Sequence, residues 1–313
     1  MKYTRSGGLD ISLFSLGTVQ LGMDYGINNP QGRPGREASF EILDTALQLG
    51  VNSLDTAVGY GDSERLIGEW LERVPPAARP LITTKVDRLD TSSGAALRAS
   101  LRDSAEVSRK RLGLERIPLL MVHNFEQYAQ APDEVRRAFE ELRAEGLIER
   151  WGISAYSRHD YRMLADSGAD AVQVPQNVFD WRQITGGGWD ALVRSRKIIF
   201  VRSVFLQGLV FMDPESLPEQ MRHAAPVLRS FCDICREFAM GPAVLALSFA
   251  LSLPGVSSLV LGCERREQVE NNAALIEKAR RLTGAQLERL REVFENVDPR
   301  VTDPGTWFGS GRK

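Results

Sequence analysis

Short apolar runs alternate with longer stretches of helical periodicity along nearly the whole chain. The runs at residues 13–16, 51–55, 81–85, 117–123, 150–154, 171–174, 198–202 and 258–261 have the length of strands. Between them, apolar positions recur every three or four residues, as at Phe40, Leu43 and Leu47 within 36–49. The same periodicity predicts helices over 63–71, 95–112, 133–144 and 158–166, and a weaker one near 189–195. Two more are predicted over 225–238 and 243–253, and after the last strand come one from 266 and one near 285–297. Gly50, Gly113, Gly146 and Gly168 stand where helices are expected to stop. Residues 1–11 are turn-rich around Gly7-Gly8 and predict a small hairpin, whereas 19–36 read as a long loop.

Eight strand–helix alternations with strands apolar on both faces imply a buried parallel sheet. Eight units over about 250 residues or more have the size of a (β/α)₈ barrel, the TIM barrel. The expected architecture is therefore α/β, with residues 1–313 forming one barrel domain that carries an N-terminal hairpin and an extra C-terminal helix. A doubly wound sheet is the alternative, and it calls for a GxGxxG turn after the first strand. Neither Gly152-Ile-Ser154 nor Gly186-Gly-Gly188 supplies one.

Composition narrows the function. The 313 residues are 43 % hydrophobic and 26 % charged, with a formal net charge of −2. That balance argues against a polyanion-binding protein, so no nucleic-acid partner is expected. Small basic clusters occur at Arg109-Lys-Arg111, which reads as a solvated helix face, and at Lys278-Ala-Arg-Arg281. No apolar leader opens the chain, and the most apolar stretch, 244–253, is too short to cross a membrane. Three cysteines fit a reducing compartment, and the expected location is cytoplasmic. Cys232 and Cys235 lie inside a helical pattern and read as structural, with no metal-ligand spacing anywhere.

The candidate chemistry is centred on residues 51–64. An apolar run ends on Asp55, and Tyr60 follows in a loop bracketed by Gly59 and Gly61. Lys85 and His123 end the next two strands, and Ser154, Gln173 and Arg202 end or nearly end the three after those. Singly, each reads as an ordinary turn cap or rim group. Together, Asp, Tyr, Lys and His on consecutive strand–helix junctions meet at one barrel mouth, where active sites sit. A phenol with an unperturbed pKa near 10 is a poor acid, and a neighbouring ammonium is expected to lower it. A carboxylate would hold that ammonium, and an imidazole across the pocket would donate to a carbonyl oxygen. Such a site reduces carbonyls when a cofactor brings the hydride.

Asp55, Tyr60, Lys85 and His123 resemble the catalytic tetrad of the aldo-keto reductases in identity, order and context. The likeness continues through Leu16-Gly17-Thr18, Leu54-Asp55-Thr56-Ala57, Thr84-Lys85, Val122-His123, Trp151-Gly-Ile-Ser154, Gln173-Val174 with Asn177, and Asn272. It implies a nicotinamide-dependent barrel that holds its cofactor extended across the mouth, with Gly17, Thr18 and Val19 beside it. By that resemblance Ser154 and Gln173 hold the carboxamide, and Asp55 also touches the ribose. Ser203, Phe205, Leu206, Gln207 and Gly208 would line the pyrophosphate, and Gly262, Arg265, Arg266, Gln268 and Asn272 the adenosine end.

The chain also departs from the family pattern. Ala155 follows Ser154 where many members have Asn, and Arg202 stands where many stack an aromatic ring on the nicotinamide. A guanidinium can stack in its place, bind an anionic substrate, or pair with a rim carboxylate. The run from Arg202 to Gly208 resembles bacterial members associated with sugar and polysaccharide metabolism. NADPH is expected over NADH, on Arg265 or Arg266, although Gln268 replaces an arginine common in NADPH-specific members and Glu264 would repel a phosphate. The implied activity is reduction of a small aldehyde or ketone, a sugar-derived one among them. A non-catalytic nicotinamide sensor or regulatory subunit on the same barrel is the alternative. Substrate is expected to meet loops 19–35, 125–130 and 179–188 and the tail, with Met23, Tyr25, Phe125, Trp181 and Trp307 as candidate walls.

Overall fold

The computed structural model describes residues 1–26, 32–304 and 307. Strands β1 (Tyr3–Ser6) and β2 (Leu9–Ser12) form an antiparallel hairpin turning at Gly7-Gly8. The other eight strands close a parallel barrel. They are β3 (Phe14–Gly17), β4 (Ser53–Asp55), β5 (Leu81–Val86), β6 (Ile117–Val122), β7 (Ile148–Ser154), β8 (Ala171–Pro175), β9 (Ile198–Arg202) and β10 (Val256–Gly262). Each strand pairs with its sequence neighbour, and β10 closes onto β3 through Gly262 opposite Gly17.

The helices wrap the outside: α1 (Val19–Gly22), α2 (Arg36–Gln48), α3 (Ser63–Leu71), α4 (Gly94–Leu112), α5 (Phe125–Gln130), α6 (Pro132–Ala144) and α7 (Tyr161–Ala165). They continue as α8 (Arg182–Thr185), α9 (Gly188–Ser195), α10 (Ala225–Glu237), α11 (Pro242–Ser252), α12 (Arg266–Lys278), α13 (Gly284–Phe294) and α14 (Pro299–Thr302). The hairpin and the extra helix after α12 are present as expected. Cys232 and Cys235 are free thiols on α10.

Some boundaries moved for local reasons. β4 begins at Ser53 rather than 51 because the Val51 amide donates to Ala46 at the end of α2. The helix expected over 158–166 shrinks to α7, because the Asp160 carboxylate accepts the Arg162 amide and caps the helix there. Three expected loops contain helices, the first being 19–36, which opens with α1. Asn124 caps α5 through the Glu126 amide at 2.9 Å, and α8 occupies part of 179–188. Residues 27–31 of the first loop, and Phe308 in the tail, lie outside the described residues. No single helix among the described residues is long and apolar enough to cross a membrane.

Strand parity determines what faces the barrel axis. Phe14, Leu16, Leu54, Ile153, Val172, Val174, Ile199, Val201, Leu259 and Leu261 join the core between sheet and helices. The alternate positions form a separate inner cluster of Leu119, Met121, Ala171, Ile198 and Phe200, closed from below by Ile11 of the hairpin. Stepping by two towards the strand ends from these inner positions reaches His123, Gln173 and Arg202. The same parity on the other strands reaches Gly17, Asp55, Lys85, Ser154 and Gly262. Below those ends the lumen is mixed, with the apolar cluster on β6, β8 and β9 facing the buried Ser15, Ser53, Thr83 and Ser258 of the other strands, and at the top it is polar.

Candidate active site

The loop carrying Tyr60 is fixed before any catalytic contact is made. The Thr18 hydroxyl donates to the Asp55 carbonyl at 2.9 Å and lies 2.7 Å from the Ser63 hydroxyl, to which Thr56 also donates at 3.0 Å. A Cβ on Gly22 would stand 1.7 Å from the Tyr60 carbonyl, and one on Gly61 2.3 Å from the Gly22 carbonyl. Gly61 also has a φ of 55°, a conformation costly for other residues. These two glycines let α1 and the Tyr60 loop pack backbone to backbone.

Lys85, fully buried, has three N–H donors and three acceptors. Its ammonium lies 2.8 Å from Asp55 Oδ1, donates to the Thr56 carbonyl at 2.9 Å, and reaches the Tyr60 phenol oxygen at 3.4 Å. Gln173 donates to the same Asp55 oxygen at 2.6 Å. Because Lys85 donates to the phenol oxygen, the Tyr60 O–H is left to point elsewhere. The His123 ring stands edge-on to the Tyr60 ring, with centroids 5.8 Å apart.

Electrostatics here departs from the sequence expectation. The Tyr60 phenol is held well above its usual pKa, first by burial and then by the Asp55 charge, with Arg202 opposing. The expected lowering by Lys85 does not prevail, because burial and the Asp55 charge both favour the neutral phenol. Burial pulls Lys85 below the usual lysine range, and Asp55 opposes that. His123 is pushed down to about 3 by burial, then by the Lys85 and Arg202 charges, so it is a neutral imidazole with one N–H to give.

The His123 shift has a consequence for stability. The unfolded chain binds a proton at His123 near pH 6.5, while the folded chain refuses it until about 3. The stability contributed by neutral His123 is present above pH 6.5 and is lost as pH falls towards 3, about 2 kcal/mol by pH 5. Urea midpoints measured from pH 7 to 5 are expected to fall less steeply for His123→Asn than for wild type. Parallel slopes would place no such burden on His123.

A cavity of about 570 Å³ opens at this end of the barrel. Asp55, Tyr60, His123, Ser154, Gln173 and Arg202 line it, and Lys85 sits beneath Tyr60. Gly17, Thr18, Val19, Ser203, Phe205, Leu206, Gln207, Gly208, Gly262, Arg265 and Gln268 line it too. Arg266 and Asn272 do not. The Arg266 guanidinium is held by Glu270 at 2.9 Å and by Glu41 of α2 at 3.1 Å, and Asn272 donates to Cys263 Sγ. Gln268 accepts the Glu264 and Arg265 amides, so part of the helix N-terminus expected to offer free N–H groups is already used. Arg202 has no carboxylate partner among the described residues. It lies over the Tyr156 ring, 4.6 Å from its centroid, and donates to the Ala155 carbonyl at 3.0 Å.

Of the expected substrate walls only Tyr25 lines the cavity. Phe125 stacks on His159, while the buried Trp181 and Trp307 donate to the Val178 and Arg300 carbonyls. The sequence reading missed Gln20, Tyr156 and Phe211, which stand in the wall. Two features fit a long polar ligand. The Gln20 amide lies against the Gly262 backbone with its buried oxygen unpartnered among the described residues. The segment after β9 holds Ser203, Leu206 and Gln207 at positive φ, strain that persists where surroundings impose it.

Residues 14–295 match the Aldo/keto reductase family, and the chain belongs to that family. The family consists of NAD(P)H-dependent oxidoreductases acting on carbonyl compounds, and the chain takes its class from it. An uncharacterised oxidoreductase of Bacillus subtilis is 27 % identical, over 90 % of this chain and 92 % of its own. A protein of Schizosaccharomyces pombe named as a putative voltage-gated potassium channel subunit beta is 24 % identical, over 94 % and 92 %. Among solved structures, a holo-form aldo-keto reductase from Bacillus halodurans shares the fold, with a TM-score of 0.75 at 21 % identity over 97 % of this chain and 100 % of its own.

Proposed function

We propose that this chain reduces an aldehyde or ketone to the alcohol with a nicotinamide dinucleotide, Tyr60 giving the proton. The observation that carries this reading is Tyr60, Lys85 and Asp55 in one contact chain, with His123 beside them in the wall of one cavity. The cofactor, when bound, supplies the hydride to the carbonyl carbon. The Tyr60 O–H donates to the oxygen as negative charge grows there. The neutral His123 N–H donates to the same oxygen without changing its own charge. Lys85 acts on Tyr60 as its proton leaves, since an ammonium 3.4 Å from the phenol oxygen stabilises phenolate more than phenol. Asp55, itself held by Gln173, keeps Lys85 in place, and Ser154 with Gln173 would orient the nicotinamide end.

Ser203 to Gly208 would hold the pyrophosphate, and Gly262, Arg265 and Gln268 the adenosine end. The preference for NADPH rests on Arg265, since Arg266 is engaged by two carboxylates. Glu264 lines the same cavity, which keeps the preference modest. Arg265→Ala is expected to weaken NADPH binding about tenfold or more, with NADH binding little changed and Arg266→Ala close to wild type. Tighter NADH binding by wild type would reverse the assignment in favour of Glu264.

Loss of NADPH absorbance near 340 nm, dependent on added small aldehydes and matched by alcohol formed, tests the activity. The fission-yeast relative favours a second reading, a regulatory subunit that binds the cofactor without turning it over. Binding of the cofactor with no aldehyde-dependent oxidation would support that reading instead.

A further inference from the structure

A second cavity lies away from the mouth. It measures about 910 Å³ and lies at the opposite end of the barrel, between β1, the starts of β9 and β10, and the chain leaving α12. Its lining contains Lys2, Arg5, Arg196, Lys197, Arg280 and Arg281 and not one acid. This occurs in a chain whose acids outnumber Lys and Arg 41 to 39.

Three of these cations are already used. Lys2 Nζ donates to the carbonyls of Ile276, Glu277 and Ala279 at the end of α12. Lys197 Nζ donates to the Ala169 carbonyl at 2.7 Å, and Arg5 pairs with Asp10 at 2.7 Å. The side chains of Arg196, Arg280 and Arg281 have no hydrogen bond or ion pair among the described residues. Arg196 is moreover held at a φ of 56° where it ends α9, a left-handed position that favours glycine or asparagine. Like charges gathered around one concavity repel, and an anion relieves them. Between the cations the wall has an apolar part formed by Leu13, Val193, Ile199, Leu251 and Val256, beside the hydroxyl-bearing Thr4, Ser6 and Ser257. The volume is that of a small-molecule site.

We propose that this cavity binds a phosphorylated small molecule, its phosphate groups on Arg196, Arg280 and Arg281 and its body against the apolar wall. Guanidinium forks suit phosphate oxygens, and phosphate groups can satisfy several of them at once. The proposal is independent of the chemistry at the mouth.

Calorimetric titration with inorganic tripolyphosphate tests it, using wild type, the Arg280→Ala/Arg281→Ala double variant and Arg265→Ala. Arg280 and Arg281 are exposed, so the double variant is expected to fold, and an unchanged melting temperature checks that. Wild type is expected to bind one tripolyphosphate per chain saturably. The double variant is expected to bind at least tenfold more weakly, and Arg265→Ala, altered at the mouth, as wild type does. No saturable binding by wild type, or binding that survives the double substitution, overturns the proposal.

Discussion

Tyr60→Phe is expected to cut carbonyl reduction by about 10²- to 10⁴-fold while leaving cofactor affinity within about twofold. The substitution keeps the ring, and with it the packing beside His123. It removes the only O–H that Lys85 orients. Because the phenol is held above its usual pKa, it carries its proton throughout the neutral range and is ready to donate before substrate arrives. Its contribution appears when negative charge develops on the substrate oxygen, so the loss falls on kcat rather than on binding. Stability should change by only about 1 kcal/mol, since one of the three Lys85 donors loses a partner. Steady-state kinetics and a cofactor titration on the same preparation check both halves. A variant that reduces its substrate at near the wild-type rate would transfer the acid role to another group, with His123 next in line.

Lys85→Met is expected to be as severe for activity and, unlike Tyr60→Phe, costly for folding. The Lys85 and Asp55 side chains are 0 % and 7 % exposed, so removing the ammonium leaves a buried carboxylate supported chiefly by Gln173. Breaking a buried pair in this way costs about 3–5 kcal/mol. Adding Asp55→Asn removes the stranded charge and should recover most of the stability. It should recover none of the activity, because nothing then stabilises the phenolate as the proton leaves. Urea midpoints and kcat for wild type, the single variant and the double variant separate the two roles. Activity returning together with stability would mean that Lys85 serves only to hold the fold.

The barrel and the meeting of Asp55, Tyr60, Lys85 and His123 at one rim were legible because both follow from short-range patterns. Apolar strands alternating with helical periodicity define the βα units, and the strand-terminal acid, lysine and histidine mark one rim. A parity argument carries the reading further. The last inward position of each strand, counted by twos from residues such as Met121 and Phe200, is a candidate site residue on all eight strands. The place of Arg266 outside the cavity also had a signal in the sequence. Arg266 and Glu270 stand four apart at the start of α12, a spacing that brings them onto one helix face, and they pair there.

Other features were not legible. That the Tyr60 pKa is raised rather than lowered depends on burial and on the nearby Asp55 charge, which are tertiary quantities. Gln20, Tyr156 and Phe211 reach the cavity from three separate segments that only the closed barrel brings together. The tryptophans taken as pocket walls carried no mark distinguishing a rim residue from a core residue. Trp181 and Trp307 proved to be buried, each with its indole N–H on a backbone carbonyl.

The central claim is that Tyr60 and His123 converge on one substrate oxygen. A crystal structure of the protein with bound cofactor and a carbonyl-bearing inhibitor tests this most directly. The account predicts the inhibitor oxygen within about 3.2 Å of both the Tyr60 hydroxyl and a His123 ring nitrogen, with Lys85 still on Asp55 and Tyr60. An inhibitor carbonyl seated on Arg202 or in the apolar rim, out of reach of the Tyr60 hydroxyl, would contradict it.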